Sequence, residues 1–353
     1  MHRKRDKPKG GEVESLLYAI CIDVGATKLK SGIVDSRGKL YFSKDILTNH
    51  KQTMAQILNV IRSVLGRAKK SPKMWESILG IGIGVGGQVD FLEGRVIAGM
   101  PEKIPGWIGT PVKAIVEREF DLPVVVDNDG KVATLAESLF GNYGVFKDLV
   151  CVTVGSGVGS GLVIGGKIHR PARGAAGEMG HITINFRGPL CGCGNRGCLE
   201  AYVSNSALVD YARRQIDQGQ KSQLNDFCNG QLDRLTPELV GKAASEGDSV
   251  AKCAIDTMAN YLGIGLANIA NTLGPDIIVI GGGMARLGDL FLKPVQEALK
   301  KYSFGICAKN TRIVLSSLGP YAGVIGAGAL LFGDVLRTTE KGDVKKYGSH
   351  RTS

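Results

Sequence analysis

Residues 16–34 read LLYAICIDVGATKLKSGIV, and residues 148–164 read DLVCVTVGSGVGSGLVI. Each is an apolar run, a glycine-bearing tip and a second extended run. The first predicts a strand over 16–23 that ends on an acid, a turn at Val24-Gly25-Ala26-Thr27-Lys28, and a strand over 29–34. Ser36-Arg37-Gly38 then turns the chain into a third strand over 39–43. The second predicts a strand over 148–154, a tip over 155–161 and a return over 162–164. A dinucleotide-binding turn needs a helix directly after its glycines, and 161–164 looks extended. The spacing of a P-loop is absent as well. Two like hairpins in two halves predict an internal duplication that closes on one nucleotide. Backbone N–H groups at such tips suit phosphates, and Asp23 can hold Mg²⁺ through water. A plain hairpin turn is the alternative for either tip.

Working outward, 51–69 has helical periodicity through Met54, Ile57, Leu58, Ile61, Val64 and Leu65. A buried strand over 78–85 runs into Gly86-Gly87-Gln88-Val89-Asp90, where backbone can lie against a ligand. The prolines from 101 to 111 mark a long irregular connection. A short helix over 113–120 and a strand over 122–126 follow, ending in Asp127-Asn128-Asp129 and a helix over 130–140. Ligands of open α/β sheets bind beyond the carboxyl ends of strands. There Asn128 and Asp129 can position a hydroxyl and take its proton, although both are also good helix caps.

After residue 200 the chain is mostly helical. One helix starts at Ser204 or Ser206, a polar insertion spans 217–234, and Thr236-Pro237-Glu238 starts another helix. A long helix over 248–273 stops at Gly274-Pro275. A strand over 276–280 runs into Gly281-Gly282-Gly283, a helix covers 290–301, a strand 312–315 and an apolar helix 323–331.

Between the halves lies GAAGEMGHITINFRGPLCGCGNRGCLE, residues 174–200. Cys191, Cys193, Cys198 and His181 form a Cys₃His set, the composition of a closed structural Zn²⁺ site. Soft sulfur ligands favour zinc over magnesium or calcium. Unliganded reduced thiols are the alternative. If one ring nitrogen of His181 binds the ion, the other faces outward. Folding the loop on zinc then gathers Glu178, His181 and Glu200 on one wall, a set suited to a polyhydroxylated ligand.

The 353 residues suffice for two domains. The net charge of +11 is carried largely by the ends: +4 in residues 1–10 and +3 in 337–353. Those ends read as disordered tails, and the body keeps +4. That argues against a nucleic-acid reader, which would show a basic stripe on an element. No apolar run has the length of a membrane span and no signal-peptide core is present, so a reducing cytoplasm is expected, with no membrane partner. The remaining cysteines, Cys21, Cys151, Cys228, Cys253 and Cys307, read as scattered, mostly buried thiols.

The Asp23–Lys28 hairpin, Asn128-Asp129, the second glycine hairpin, the Gly177-Glu178-Met179-Gly180-His181 box and the Cys191–Glu200 box together resemble the ROK family of sugar kinases and repressors. The resemblance covers about 19–331. It implies an actin-like, hexokinase-like fold of two α/β domains about a central cleft. The expected division is a small domain over 15–129 with about 323–336, and a large one over 130–322. It implies ATP-dependent phosphorylation of a hexose or N-acetylhexosamine at the 6-hydroxyl, in the manner of glucokinases and N-acetylmannosamine kinases. Asp129 is then the base. Gly87, Gln88, Asn128, Asp129 itself, Glu178, His181 and Glu200 hold the sugar. Asp23, Gly25, Ala26, Thr27, Lys28, Gly155, Ser156, Gly157, Gly159, Gly281, Gly282 and Gly283 hold ATP and Mg²⁺. A homodimer or homotetramer is implied.

Three positions depart from the family pattern. Gly86 stands where Pro is usual, Lys131 where Asn is usual, and Gly99 to Lys103 lacks a short Asn-containing loop. A sugar-sensing transcription regulator and a non-catalytic sugar-binding protein are the alternative functions. About fifteen residues precede the first strand, too few for a helix-turn-helix domain.

Overall fold

The computed structural model describes residues 16–99, 104–171, 174 and 176–339. The expected tail at 1–14, the expected tail at 337–353 from residue 340 onward, and the Met100 to Lys103 loop lie outside the described residues.

The first half holds β1 (Tyr18–Val24), β2 (Lys28–Asp35), β3 (Leu40–Leu47), α1 (Thr53–Ala68), α2 (Pro72–Glu76), β4 (Ile78–Val85), β5 (Gln88–Asp90), β6 (Arg95–Ala98), α3 (Val112–Phe120) and β7 (Val124–Asn128). Five of these strands form a sheet in the order β3-β2-β1-β4-β7. The β1-β2-β3 meander is antiparallel, and β4 and β7 add in parallel. Helix α4 (Asp129–Phe140) leads to β8 (Leu149–Val154), β9 (Val158–Ile164) and β10 (Lys167–Ile168). The helical stretch then supplies α5 (Glu200–Val203), α6 (Asn205–Asp217), α7 (Gln223–Phe227), α8 (Pro237–Ser245) and α9 (Ser249–Leu273). It closes with β11 (Ile277–Gly282), α10 (Asp289–Tyr302), α11 (Gly305–Asn310), β12 (Arg312–Leu315) and α12 (Ala322–Thr339). The second sheet runs β10-β9-β8-β11-β12 and repeats the first sheet's pattern of antiparallel meander plus two parallel strands. This is the duplication that the two hairpins foretold.

The capping chemistry matches the residues. Ser204, Thr236 and Asp248 each accept a backbone N–H at the start of α6, α8 and α9. Gly274 ends α9 in the left-handed region. The 217–234 stretch is not plain insertion: it carries α7, whose Leu224 is fully buried. Helix α12 runs on to Thr339, past the point where the sequence placed a tail.

Helix α12 returns to the first sheet and lies between it and α4. The approach is so close that a Cβ at Gly82 would fall 1.8 Å from Ala327 O, and one at Gly326 would fall 1.9 Å from Val132 O. Separate apolar cores fill the two halves, one about β1, β4 and α1, the other about β8, β11 and α9. Among the described residues no helix is long and apolar enough to cross a membrane.

Candidate active site

Strand register decides which residues meet. Val24, Val85 and Asn128 are aligned across β1, β4 and β7, so the three parallel strands end at one edge. Asp23, the Gly86-Gly87-Gln88 loop and Asp129 therefore arrive together, at the carboxyl ends where open sheets bind ligands. In the second sheet Gly282 is aligned with Val154, beside the hairpin tip at Gly155 to Gly157.

These edges face one cleft of about 630 Å³. Of the predicted residues, Gly25, Ala26, Gly87, Gln88, Asn128, Asp129, Gly155, Ser156, Gly157, Gly159, Glu178, His181, Glu200 and Gly282 line it, as does Cys193. Asp23 sits beneath the hairpin tip; a Cβ on Gly323 would come within 2.4 Å of its carboxylate. Thr27 and Lys28 are exposed and stand outside the lining, as do Gly281 and Gly283. The second tip is shorter than read from the glycine count. Strand β9 begins at Val158, and Gly159 and Gly161 serve packing: a Cβ at Gly161 would lie 2.4 Å from Thr134 Oγ1 of α4.

Asn128 does two jobs. Its Oδ1 caps α4 by accepting Lys131 N at 3.1 Å, while Nδ2 donates to Gly87 O at 2.9 Å and Asp129 Oδ1 at 3.1 Å. Gly130 N also donates to Asp129 Oδ1, at 2.8 Å. Burial, and then the charge of Asp23, push the Asp129 carboxyl up to about 7. Burial likewise raises Asp23 to about 6, against the pull of Lys30.

The metal loop forms the opposite wall. One ligand atom from each of His181, Cys191, Cys193 and Cys198 lies within 4.8 Å of the others. His181 Nδ1 is 3.7 Å from Cys191 Sγ, and Cys193 Sγ is 3.7 Å from Cys198 Sγ. A tetrahedral zinc site with ordinary bond lengths needs edges of about 3.6 Å for N···S and about 3.8 Å for S···S. The residues therefore fit the ion. His181 Nε2 points the other way, 3.9 Å from Glu178 Oε2. Glu200 has a partner of its own: its Oε2 accepts Val158 N at 2.7 Å, which ties the metal loop to the glycine hairpin. Ser160 binds the same loop, donating to Gly177 O and accepting Met179 N at 3.0 Å.

Sequence reading missed the apolar wall. Ile104, Trp107 and Ile108 line the cleft, and Trp107 Nε1 donates to Gly86 O at 3.2 Å. It also missed Arg170, which holds Asp127 through Nε at 2.7 Å behind the Asn128-Asp129 corner.

The arrangement can hold a polyhydroxylated ligand between a carboxylate of raised pKa and an imidazole, with two glycine tips beside it for phosphate. Known proteins share the chain's pattern. A glucokinase of Halalkalibacterium halodurans is 35% identical over 86% of this chain and 91% of its own length. A xylose repressor of Caldicellulosiruptor bescii is 34% identical over 88% of this chain and 79% of its own. The crystal structure of a ROK family glucokinase from Streptomyces griseus, in complex with glucose and AMPPNP, superposes with a TM-score of 0.79 at 32% identity. That match covers 89% of this chain and 98% of the other. The ROK family model itself matches residues 19–333, and the chain belongs to the ROK family, with the actin-like α/β fold of its kinases.

Proposed function

We propose that the protein is an ATP-dependent kinase of a hexose or N-acetylhexosamine, acting on the 6-hydroxyl. The observation that carries this reading is Asp129: a carboxyl with a value of about 7, in the cleft that Glu178 and His181 also line. Unprotonated, it takes the proton of the sugar hydroxyl as that oxygen attacks the γ-phosphorus; the bond to the β-phosphate oxygen breaks and ADP leaves. Glu178, His181, Glu200, Asn128, Gly87 and Gln88 hold the remaining hydroxyls. The backbones at Gly25-Ala26, Gly155 to Gly157 and Gly282 hold the ATP phosphates, as the relatives that are glucokinases support. Asp23 would hold the Mg²⁺ of ATP through water, and the ion would neutralise phosphate charge. Zn²⁺, held by His181, Cys191, Cys193 and Cys198, would fix the imidazole so that Nε2 faces the sugar. The lobes that close on the pair are 15–129 with 323–336, and 130–322. Closure excludes water, which would otherwise drain ATP. The described portion of the chain offers no membrane-spanning helix, in keeping with a cytoplasmic enzyme.

A coupled ADP-release assay over glucose, mannose, N-acetylglucosamine, N-acetylmannosamine, allose and fructose tests the reading. Sugar-dependent release with at least one of them is expected. The xylose-repressor relatives favour a second reading, a sugar-sensing regulator. Sequence-specific DNA binding that sugar alters, with no ADP release on any sugar, would establish that one instead.

A further inference from the structure

Lys131, in the first turn of α4, is only 1% exposed. A buried ammonium carries three donors and needs acceptors and negative charge about it. Its Nζ donates to Gln88 Oε1 at 3.4 Å. Burial pulls the Lys131 pKa down, Asp127, Glu178 and Asp129 supply a negative field that works against this, and Arg170 opposes that field. Two of those acids already have partners: Asp127 is held by Arg170, and Asp129 by Gly130 N and Asn128 Nδ2. Arg170 itself stacks 4.0 Å above the Phe91 ring.

The bond to Lys131 decides how Gln88 is turned. An amide whose oxygen faces an ammonium must present its NH₂ on the other side. Gln88 Nε2 does so, donating to Glu178 Oε1. Gln88 starts β5 on one wall; Glu178 belongs to the metal-loop wall, with Oε2 toward His181. The contact therefore joins two walls of the cleft.

We propose that Lys131 is a positioning residue: by orienting the Gln88 amide it makes Gln88 and Glu178 a clasp over the sugar end of the cleft. On the kinase reading, on which this rests, Lys131 sets sugar affinity without touching the sugar or the phosphates. Its ammonium fixes which face of Gln88 is a donor, so the incoming sugar meets an NH₂ and a carboxylate side by side.

Lys131→Met keeps the length and removes the donor. It should raise the sugar KM about tenfold, change kcat by less than about threefold and leave the KM for ATP unmoved. Gln88→Leu should raise the sugar KM alike. The double variant should be no worse than Gln88→Leu alone, because both substitutions break one clasp. Backbone amide exchange over 86–90 should quicken about tenfold in Lys131→Met, with 149–164 unchanged. A sugar KM within about twofold of wild type would overturn the proposal, as would independent, multiplying effects in the double variant. If Lys131→Met does not fold, Gln88→Leu decides by the same KM split and the same exchange readout. If the wild type releases ADP with no sugar, the kinase reading falls. The clasp is then judged by exchange over 86–90 alone, and unchanged exchange overturns it.

Discussion

The cleft has two walls, and different forces shape them. Around His181 the wall is a loop of short bridges, with four ligand atoms gathered within 4.8 Å. Around Asp129 it is the common edge of three parallel strands, fixed by register and by hydrogen bonds from Asn128. The first wall gathers a ligand set that fits an ion; the second is part of a core that folds with the sheet. On the proposed function one side sets position and the other reactivity, so the two can be broken separately.

The largest effect should follow from removing the reactive side. Asp129→Asn should lower sugar-dependent ADP release by about 10²-fold or more, because it removes the proposed general base. Near-normal turnover would remove Asp129 as the base.

Breaking the other wall should act on affinity. Cys198→Ser, or chelation, should abolish bound zinc in metal analysis and weaken sugar binding by about 10- to 100-fold. Unchanged sugar affinity in metal-free protein would show that the wall stands without its ion.

The pH profile sharpens the contrast. Burial and Asp23 raise Asp129 to about 7, so kcat/KM should fall about tenfold per unit as pH drops below 7 and Asp129 is protonated. Asp23→Asn removes a repelling charge and should move the midpoint lower.

The smallest effect is on stability. The folded value of about 7 lies above the unfolded value near 3.8, so between them the folded chain binds more protons. Stability therefore declines as pH rises from about 4 to about 7, and the full penalty remains above 7. Asp129→Asn removes that penalty. It should raise Tm by about 2 °C at pH 8 and by nothing near pH 4 in thermal melts.

Much of this was legible in the residues. Hairpins at 16–34 and 148–164 announce a repeated sheet because period-two patterning and glycine tips are local signals. The Cys₃His spacing announces the metal wall because chemistry and sequence distance coincide there. What stayed hidden is what depends on long-range approach. Trp107 sits in the long irregular connection over 101–111, and only the turn that brings it to Gly86 puts it on the cleft. Glu200 reads as a free carboxylate until β9 places Val158 N against it. Lys131 stands out in the sequence only as a cation where the family carries Asn; its burial appears once α12 and β9 pack on both sides of α4. Gly159 and Gly161 count toward a phosphate tip in the sequence, yet Gly161 is spent on helix packing.

The division of labour between the walls is tested most directly by sugar binding, read through Trp107 fluorescence in a Trp75→Phe background. Asp129→Asn should bind the sugar substrate within about tenfold of wild type while His181→Gln loses at least tenfold. Equal binding in His181→Gln, with binding lost only in Asp129→Asn, would contradict the account.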